Sequence, residues 1–228
     1  MAERPSPAAA GAYLRFGKRL VDLLAPTLGL AAILPFMALA GLCSLLFMGR
    51  PILFRQKRAG YRGKPFTLLK FRSMTDAADE HGRLLPPHQR LTAYGRILRS
   101  TSIDELPGLW NVLKGDMSLI GPRALPVEYS ACYTDEQARR LEVRPGVAGY
   151  AALFGRNAQS WESIFERDVW YVRHISFFLD LKIIFGVIRV VLSRKGIDRG
   201  DHNRDSDFQR RIESLTRENV CPAGVIGS

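Results

Sequence analysis

Cysteine is scarce in this chain, and what there is lies scattered. Cys43, Cys132 and Cys221 are far apart and odd in number, a pattern with no metal-ligand spacing and no sign of a disulfide framework. It fits a reducing compartment. Four histidines (His81, His88, His174, His202) are equally dispersed, so no zinc motif forms among them. No internal repeat recurs, and no low-complexity tract follows the N-terminus. Charge is missing altogether from Leu23 to Gly49. That run is too long for the apolar part of a cleaved signal peptide, and no small-residue cleavage site follows it. Acid is in deficit too: 33 Lys and Arg face 22 Asp and Glu, a net charge of +11. Such a balance implies an anionic partner, whether nucleic acid, anionic lipid or a phosphorylated substrate. No nucleic-acid-binding fold motif accompanies it, and basic composition alone does not make one.

What is present is unevenly spread. Residues 1–12 are small, proline-containing and aperiodic, and read as a disordered tail. The uncharged run comes next. By length alone it is a single transmembrane helix, since about 20 apolar residues span a bilayer. Two features favour a helix that enters and returns, over residues 13–49. Pro35 divides the run into halves of roughly 20 Å, short of a roughly 30 Å hydrocarbon core, and proline kinks a helix. Both flanks are also basic: Arg15, Lys18 and Arg19 before, then Arg50, Arg55, Lys57, Arg58, Arg62 and Lys64 after. A straight crossing would put one cluster outside, whereas a re-entrant hairpin keeps both on the cytoplasmic face.

From residue 50 to 198 the composition is that of a basic globular domain. PILFRQKRAG and KPFTLLKFRSM read as two short strands around the turn GYRGK. RLTAYGRILRS is helical, with Leu91, Tyr94, Ile97 and Leu98 as its apolar stripe. Then follows Arg99–Arg123, RSTSIDELPGLWNVLKGDMSLIGPR, which holds adjacent carboxylates (Asp104, Glu105), a third acid (Asp116) and an arginine at each end. Carboxylates beside arginines are most often a plain salt-bridge network. Ser102 with Glu105, or Thr101 with Asp104, has the spacing of a capping box, which would make either acid structural. Pro107 belongs in a first helical turn, so the acidic pair stands at or just before a helix start, where free N–H groups favour an anion. The helix ends near Gly115, and Asp116 reads as a turn or capping residue.

EYSACYTDEQARRLEV reads as a further helix running into the turn VRPGVAGY, and GRNAQSWES as a polar turn. Ser163–Ser193 has helical periodicity throughout, with aromatic and basic residues interleaved. For Asp180–Ser193 a core helix and a helix lying in the membrane interface remain equally open. Trp161 and Trp170 suit packing or interface anchoring better than a sugar platform. Residues 199–228 are a polar tail.

Two neighbouring carboxylates on a helix point about 100° apart and suit different tasks. One can attack phosphorus, the other can hold a divalent cation, and hard Mg²⁺ prefers carboxylate oxygen. Arginines offer paired contacts to phosphoryl oxygens. Lys70 either orients the pair or snorkels.

The segments KRLVD…P, QKRAG…FTLLKFRSM, Arg99–Arg123, VRPGVAGYAALFGRN and SFFLDLKI resemble, in unbroken order from about Lys18 to Lys195, the bacterial sugar transferase family, the monotopic phosphoglycosyl transferases. The size resembles its small members, in particular those that start glycan assembly with a UDP-linked acetamido sugar such as diacetylated bacillosamine. The resemblance implies an α/β, mainly α, monotopic membrane protein. A re-entrant helix-break-helix would carry a small cytoplasmic catalytic domain with interfacial amphipathic helices. It implies transfer of a sugar-1-phosphate from a UDP-sugar to a polyprenyl phosphate such as undecaprenyl phosphate, releasing UMP by a ping-pong route. Asp104 maps to the nucleophile and Glu105 to the magnesium ligand. Arg99, Arg123, Arg156 and Lys70 are candidates for the substrate phosphates, and Leu34–Pro35 falls at the membrane break. A phospholipid membrane, at the cytoplasmic face of the bacterial inner membrane, and a homodimer are further expected partners; nucleic acid is not. Two departures stand out: Ala124 replaces the second proline of the family's Pro-Arg-Pro, and Leu34 replaces the serine before the break. The competing class is a membrane-anchored basic module binding nucleic acid or anionic lipid.

Overall fold

A computed structural model describes residues 11, 13–154 and 159–192. Of the expected tail 1–12 all but Gly11, and the whole of the expected tail 199–228, lie outside the described residues, as does Arg156. The fold is mainly helical α/β with two small sheets. Helix α1 (Lys18–Met48) leads into the hairpin of β1 (Leu53–Ala59) and β2 (Pro65–Phe71). Helices α2 (Ala93–Thr101) and α3 (Gly108–Lys114) follow, then β3 (Ser118–Ile120), paired in parallel with β4 (Gly146–Ala148). The helices α4 (Trp161–His174) and α5 (Phe177–Leu192) close the described chain.

Helix α1 is bent by 64° between Lys18–Leu30 and Ala32–Met48. Pro35 explains the position: it lacks the N–H that would bond the carbonyl of Ala31, and its ring pushes against that carbonyl. The bend therefore falls one turn before the Leu34–Pro35 pair picked out in the sequence. Among the described residues no single helix is long and apolar enough to cross a membrane, and this bent pair passes only when both halves are taken together.

The start of α1 is polar and docks the helix onto the domain. Arg19 donates from Nη1 and Nη2 to the carbonyls of Val112 and Leu113, at 2.7 and 2.8 Å, a cation on the C-terminal turn of α3 where the helix dipole favours one. Asp22 accepts from the Ser118 hydroxyl and the Leu119 N–H. Lys18 meets Asp180 of α5 at 2.6 Å, and Tyr13 and Tyr171 donate to the same carboxylate. Beyond the bend, the Tyr94 hydroxyl of α2 donates to the Ala40 carbonyl.

The hairpin is covered on both sides. Leu68 packs with Val112, Met117 and Ala124, while Phe71 packs with Ala40 and Leu98. Thr92 caps α2 by accepting from the Gly95 N–H. Gly95 itself lies flush on the chain after β2: a Cβ there would meet the Ser73 carbonyl oxygen at 1.9 Å.

Four expectations need correction. The helix read over EYSACYTDEQARRLEV is broken into a 3-10 segment, a short α-turn Asp135–Ala138 and a second 3-10 segment. Extended Tyr133 interrupts it, and a Thr134–Gln137 capping box restarts it. The helix over Ser163–Ser193 is two helices, split at Ile175 and Ser176, with the Ser176 hydroxyl accepting from Leu179 N–H to start the second. The stretch VRPGVAGY, read as a turn, supplies β4. Cys132, packed with Leu125, Tyr129 and Phe165, is disulfide-bonded, which the scattered cysteines did not foretell; Cys43 is free.

Candidate active site

The acidic pair sits in the 3-10 turn Ile103–Glu105, between α2 and α3. Ser102 precedes it with φ 59°, a left-handed conformation that an L-residue adopts at a cost of about 1–2 kcal/mol. That residue turns the chain so that Asp104 is buried, at 8% exposure, while Glu105 stays partly open. Neither capping box forms: the Ser102 side chain makes no cap bond, and the Thr101 hydroxyl donates instead to the carbonyls of Ile97 and Leu98.

Three of the four cations singled out in the sequence converge on this turn. Lys70, on β2, donates to Glu105 Oε1 at 2.7 Å. Arg123, just after β3, places Nη1 3.9 Å from the same oxygen. Arg99, in the last turn of α2, donates from Nε to the Ser73 hydroxyl at 3.0 Å and acts electrostatically on Asp104. Gly95 makes this possible, since only a residue without a side chain lets α2 approach Ser73 so closely. Asp116 bonds Asn111 Nδ2 and Lys114, a structural role as read from the sequence.

Burial is the main cause that pushes the Asp104 carboxyl up, from 3.8 to about 6, and the neighbouring Glu105 charge adds to it. Lys70, Arg99 and Arg123 pull the other way. The acid thus remains ionised at neutral pH while carrying little solvent. Glu105 differs: it is ion-paired and more open, at 23% exposure.

The second sheet positions Arg123. Gly146 donates to the Pro122 carbonyl at 2.8 Å and Gly121 to the Ala148 carbonyl at 3.0 Å. A Cβ on Gly146 would lie 2.1 Å from the Gly121 nitrogen, so the strands can approach only as glycines. Sequence reasoning missed this pairing, and also the buried residues Lys18, Asp22, Arg140 and Asp168. The glycines in IGPR and RPGVAG were the available signal for the sheet; charged residues inside apolar helical stripes were the signal for the others.

A buried acid beside a more open one, gathered with three cations on a small α/β domain, is an arrangement suited to phosphate-ester chemistry. The model of the bacterial sugar transferase family matches residues 13–194, and the chain belongs to that family, as a phosphoglycosyl transferase. It is similar to the uncharacterized sugar transferase EpsL of Bacillus subtilis (strain 168), 52% identical over 81% of this chain and 92% of that protein. A second relative is the UDP-glucose:undecaprenyl-phosphate glucose-1-phosphate transferase of Caulobacter vibrioides, 38% identical over 77% of this chain and 70% of that protein. A third, from Aeromonas hydrophila, is a UDP-N-acetylgalactosamine-undecaprenyl-phosphate N-acetylgalactosaminephosphotransferase, 34% identical; this chain aligns over 79% of its own length but only 45% of that protein's.

Proposed function

We propose that this protein moves a sugar-1-phosphate from a UDP-sugar, with an N-acetylated amino sugar foremost, onto undecaprenyl phosphate or a similar polyprenyl phosphate. The observation that carries the proposal is the buried Asp104 carboxylate, its pKa raised to about 6, within reach of three cations. A carboxylate oxygen of Asp104 attacks the sugar-bearing phosphorus. The bond from that phosphorus to the bridging oxygen breaks, and UMP leaves with its electron pair. An acyl phosphate now joins sugar and enzyme. A phosphate oxygen of the lipid then attacks the same phosphorus, freeing the Asp104 carboxylate and yielding a polyprenyl diphosphosugar. Arg123 and Arg99 contact the phosphoryl oxygens, and Lys70 fixes Glu105.

Magnesium fits the donor set. Among the described residues no three His, Cys, Asp or Glu gather as a metal cage, and Mg²⁺ is ordinarily held by one or two carboxylates together with substrate phosphates. Glu105 would hold it, and the ion would supply neutralisation of phosphate charge.

The bent α1 supports attachment at the cytoplasmic face of a bacterial inner membrane. Leu28, Phe36, Leu46 and Phe47 along it are exposed, as are Phe177, Phe178 and Phe185 on α5, apolar surface that lipid would cover. A panel of UDP-sugars incubated with magnesium and undecaprenyl phosphate tests the reaction through UMP release. With lipid withheld, Asp104 should gain the mass of a phosphosugar. Normal turnover by Asp104→Asn would sink the mechanism.

A further inference from the structure

The loop carrying Arg123 is gripped by an ion pair that the transfer itself does not touch. Asp168 of α4 and Arg140 are 1% and 2% exposed and meet at 2.6 Å. Arg140 Nη2 also donates to the Arg123 carbonyl at 2.7 Å, and Nη1 to the Tyr133 hydroxyl at 3.0 Å. Its guanidinium lies over the rings of Tyr133 and Phe165. The Asp168 carboxylate in turn takes a backbone hydrogen bond from Arg123. Both backbone polar groups of Arg123 are therefore engaged by the two halves of one buried pair. A buried ion pair is a poor device for stability alone, since apolar residues of similar volume hold helices as well or better. What it does better is fix a backbone in one place.

The loop needs fixing. The Arg123 side chain is half exposed and reaches 3.9 Å to Glu105, so its reach depends on where its backbone stands. Ala124 has no ring to lock φ, so this stretch is held by its contacts: the Gly146 N–H on the Pro122 carbonyl, Arg58 on the Ala124 carbonyl and the buried pair on Arg123. We infer that Arg140 and Asp168 are positioning residues: they hold the Arg123 backbone so that its guanidinium stays beside the acidic pair, ready for the donor phosphate. The inference rests on the proposed transfer, in which Arg123 meets that phosphate.

The test uses the full chain in lipid nanodiscs. Arg140→Met/Asp168→Leu removes both charges and leaves no unpaired buried ion; where it does not fold, the neutral polar pair Arg140→Gln/Asp168→Asn takes its place. Amide hydrogen exchange is followed at Arg123–Leu125, with Ser118–Ile120 as the internal control. UMP release gives KM and kcat for the UDP-sugar, with and without Arg123→Ala. Faster exchange confined to the Arg123 loop is expected, together with a fall in kcat/KM of about 10–100-fold carried mainly by KM. In the Arg123→Ala background the same change should lower kcat/KM by less than about threefold, because the group it positions has gone. Unchanged exchange at Arg123, or an equal loss in both backgrounds, overturns the inference. Absence of UMP release by the unaltered protein from every UDP-sugar would instead overturn the transfer, while exchange at Arg123 would still decide the clamp.

Discussion

In the proposed transfer, Asp104 sets function against stability within one side chain. Its folded pKa of about 6 lies above the ordinary 3.8, so the native state holds the proton to higher pH than the unfolded chain does. The resulting stabilisation is complete below about 3.8 and is lost as pH rises through about 6. At pH 7–8 the folded protein carries a buried charge at a cost of at most about 3 kcal/mol. Asp104→Asn is accordingly expected to abolish UMP release and to raise the melting temperature at pH 7.5, with the gain vanishing near pH 4. The rate should rise with pH through about 6, as the nucleophile ionises. Lys70 lowers the Asp104 pKa, so Lys70→Met should move that acid limb to higher pH; a limb that stays in place would show that Asp104 is not the titrating group. Little of this was visible in the residue order. Adjacent acids flanked by arginines announced a charged cluster, but the burial that separates Asp104 from Glu105 comes from the left-handed Ser102, a tertiary feature with no local signature.

Elements with a strong local cause were legible, and those with a distant cause were not. The β1–β2 hairpin, α2 and α3 follow from alternation, the apolar stripe of RLTAYGRILRS and the Pro107–Gly115 punctuation. The β3–β4 pair is three residues a strand, too short for any alternation to register, and is stabilised by glycine contact across 25 or so residues of intervening chain. Ser163–Ser193 looked continuous because the helical period carries through Ile175 and Ser176, and only the cap at Ser176 shows the restart. Two substitutions test these contacts by chemical denaturation. Gly95→Ala would drive a Cβ into the Ser73 carbonyl at 1.9 Å and should destabilise by about 1–3 kcal/mol, taking Arg99 from its Ser73 contact and lowering kcat/KM with it. Lys18→Met would leave the Asp180 carboxylate buried and short of its cation, at a cost of about 3–5 kcal/mol. Arg189→Met on α5, the helix of Asp180, where Arg189 has no ion pair among the described residues, should fall within about 0.5 kcal/mol of the parent.

At the scale of the whole molecule, the bend of α1 and the charge around it make one argument. The 64° angle arises where Pro35 denies a bond to Ala31, and basic residues flank the helix at both ends: Lys18 and Arg19 before, Arg50 and Arg55 after. The near end is also tied to the domain, through Lys18, Arg19 and Asp22, and the far half is tied to it again through Tyr94 and Ala40. Both ends therefore face the same globular body, and a straight crossing would have to break one set of contacts. In sealed inside-out vesicles, a tag placed ahead of Tyr13 and the globular domain should be digested together by added protease. Pro35→Ala restores the missing N–H and removes the ring clash, so the bend should relax. The contacts of the first turn and the positive flanks still oppose translocation, and the tag should stay with the domain. Pro35→Ala combined with Lys18→Met and Arg19→Gln removes the anchor and the leading charge together. A measurable fraction of tags should then become protected. If the tag of the unaltered protein is already protected while its domain is digested, α1 crosses the membrane, and the re-entrant geometry is wrong.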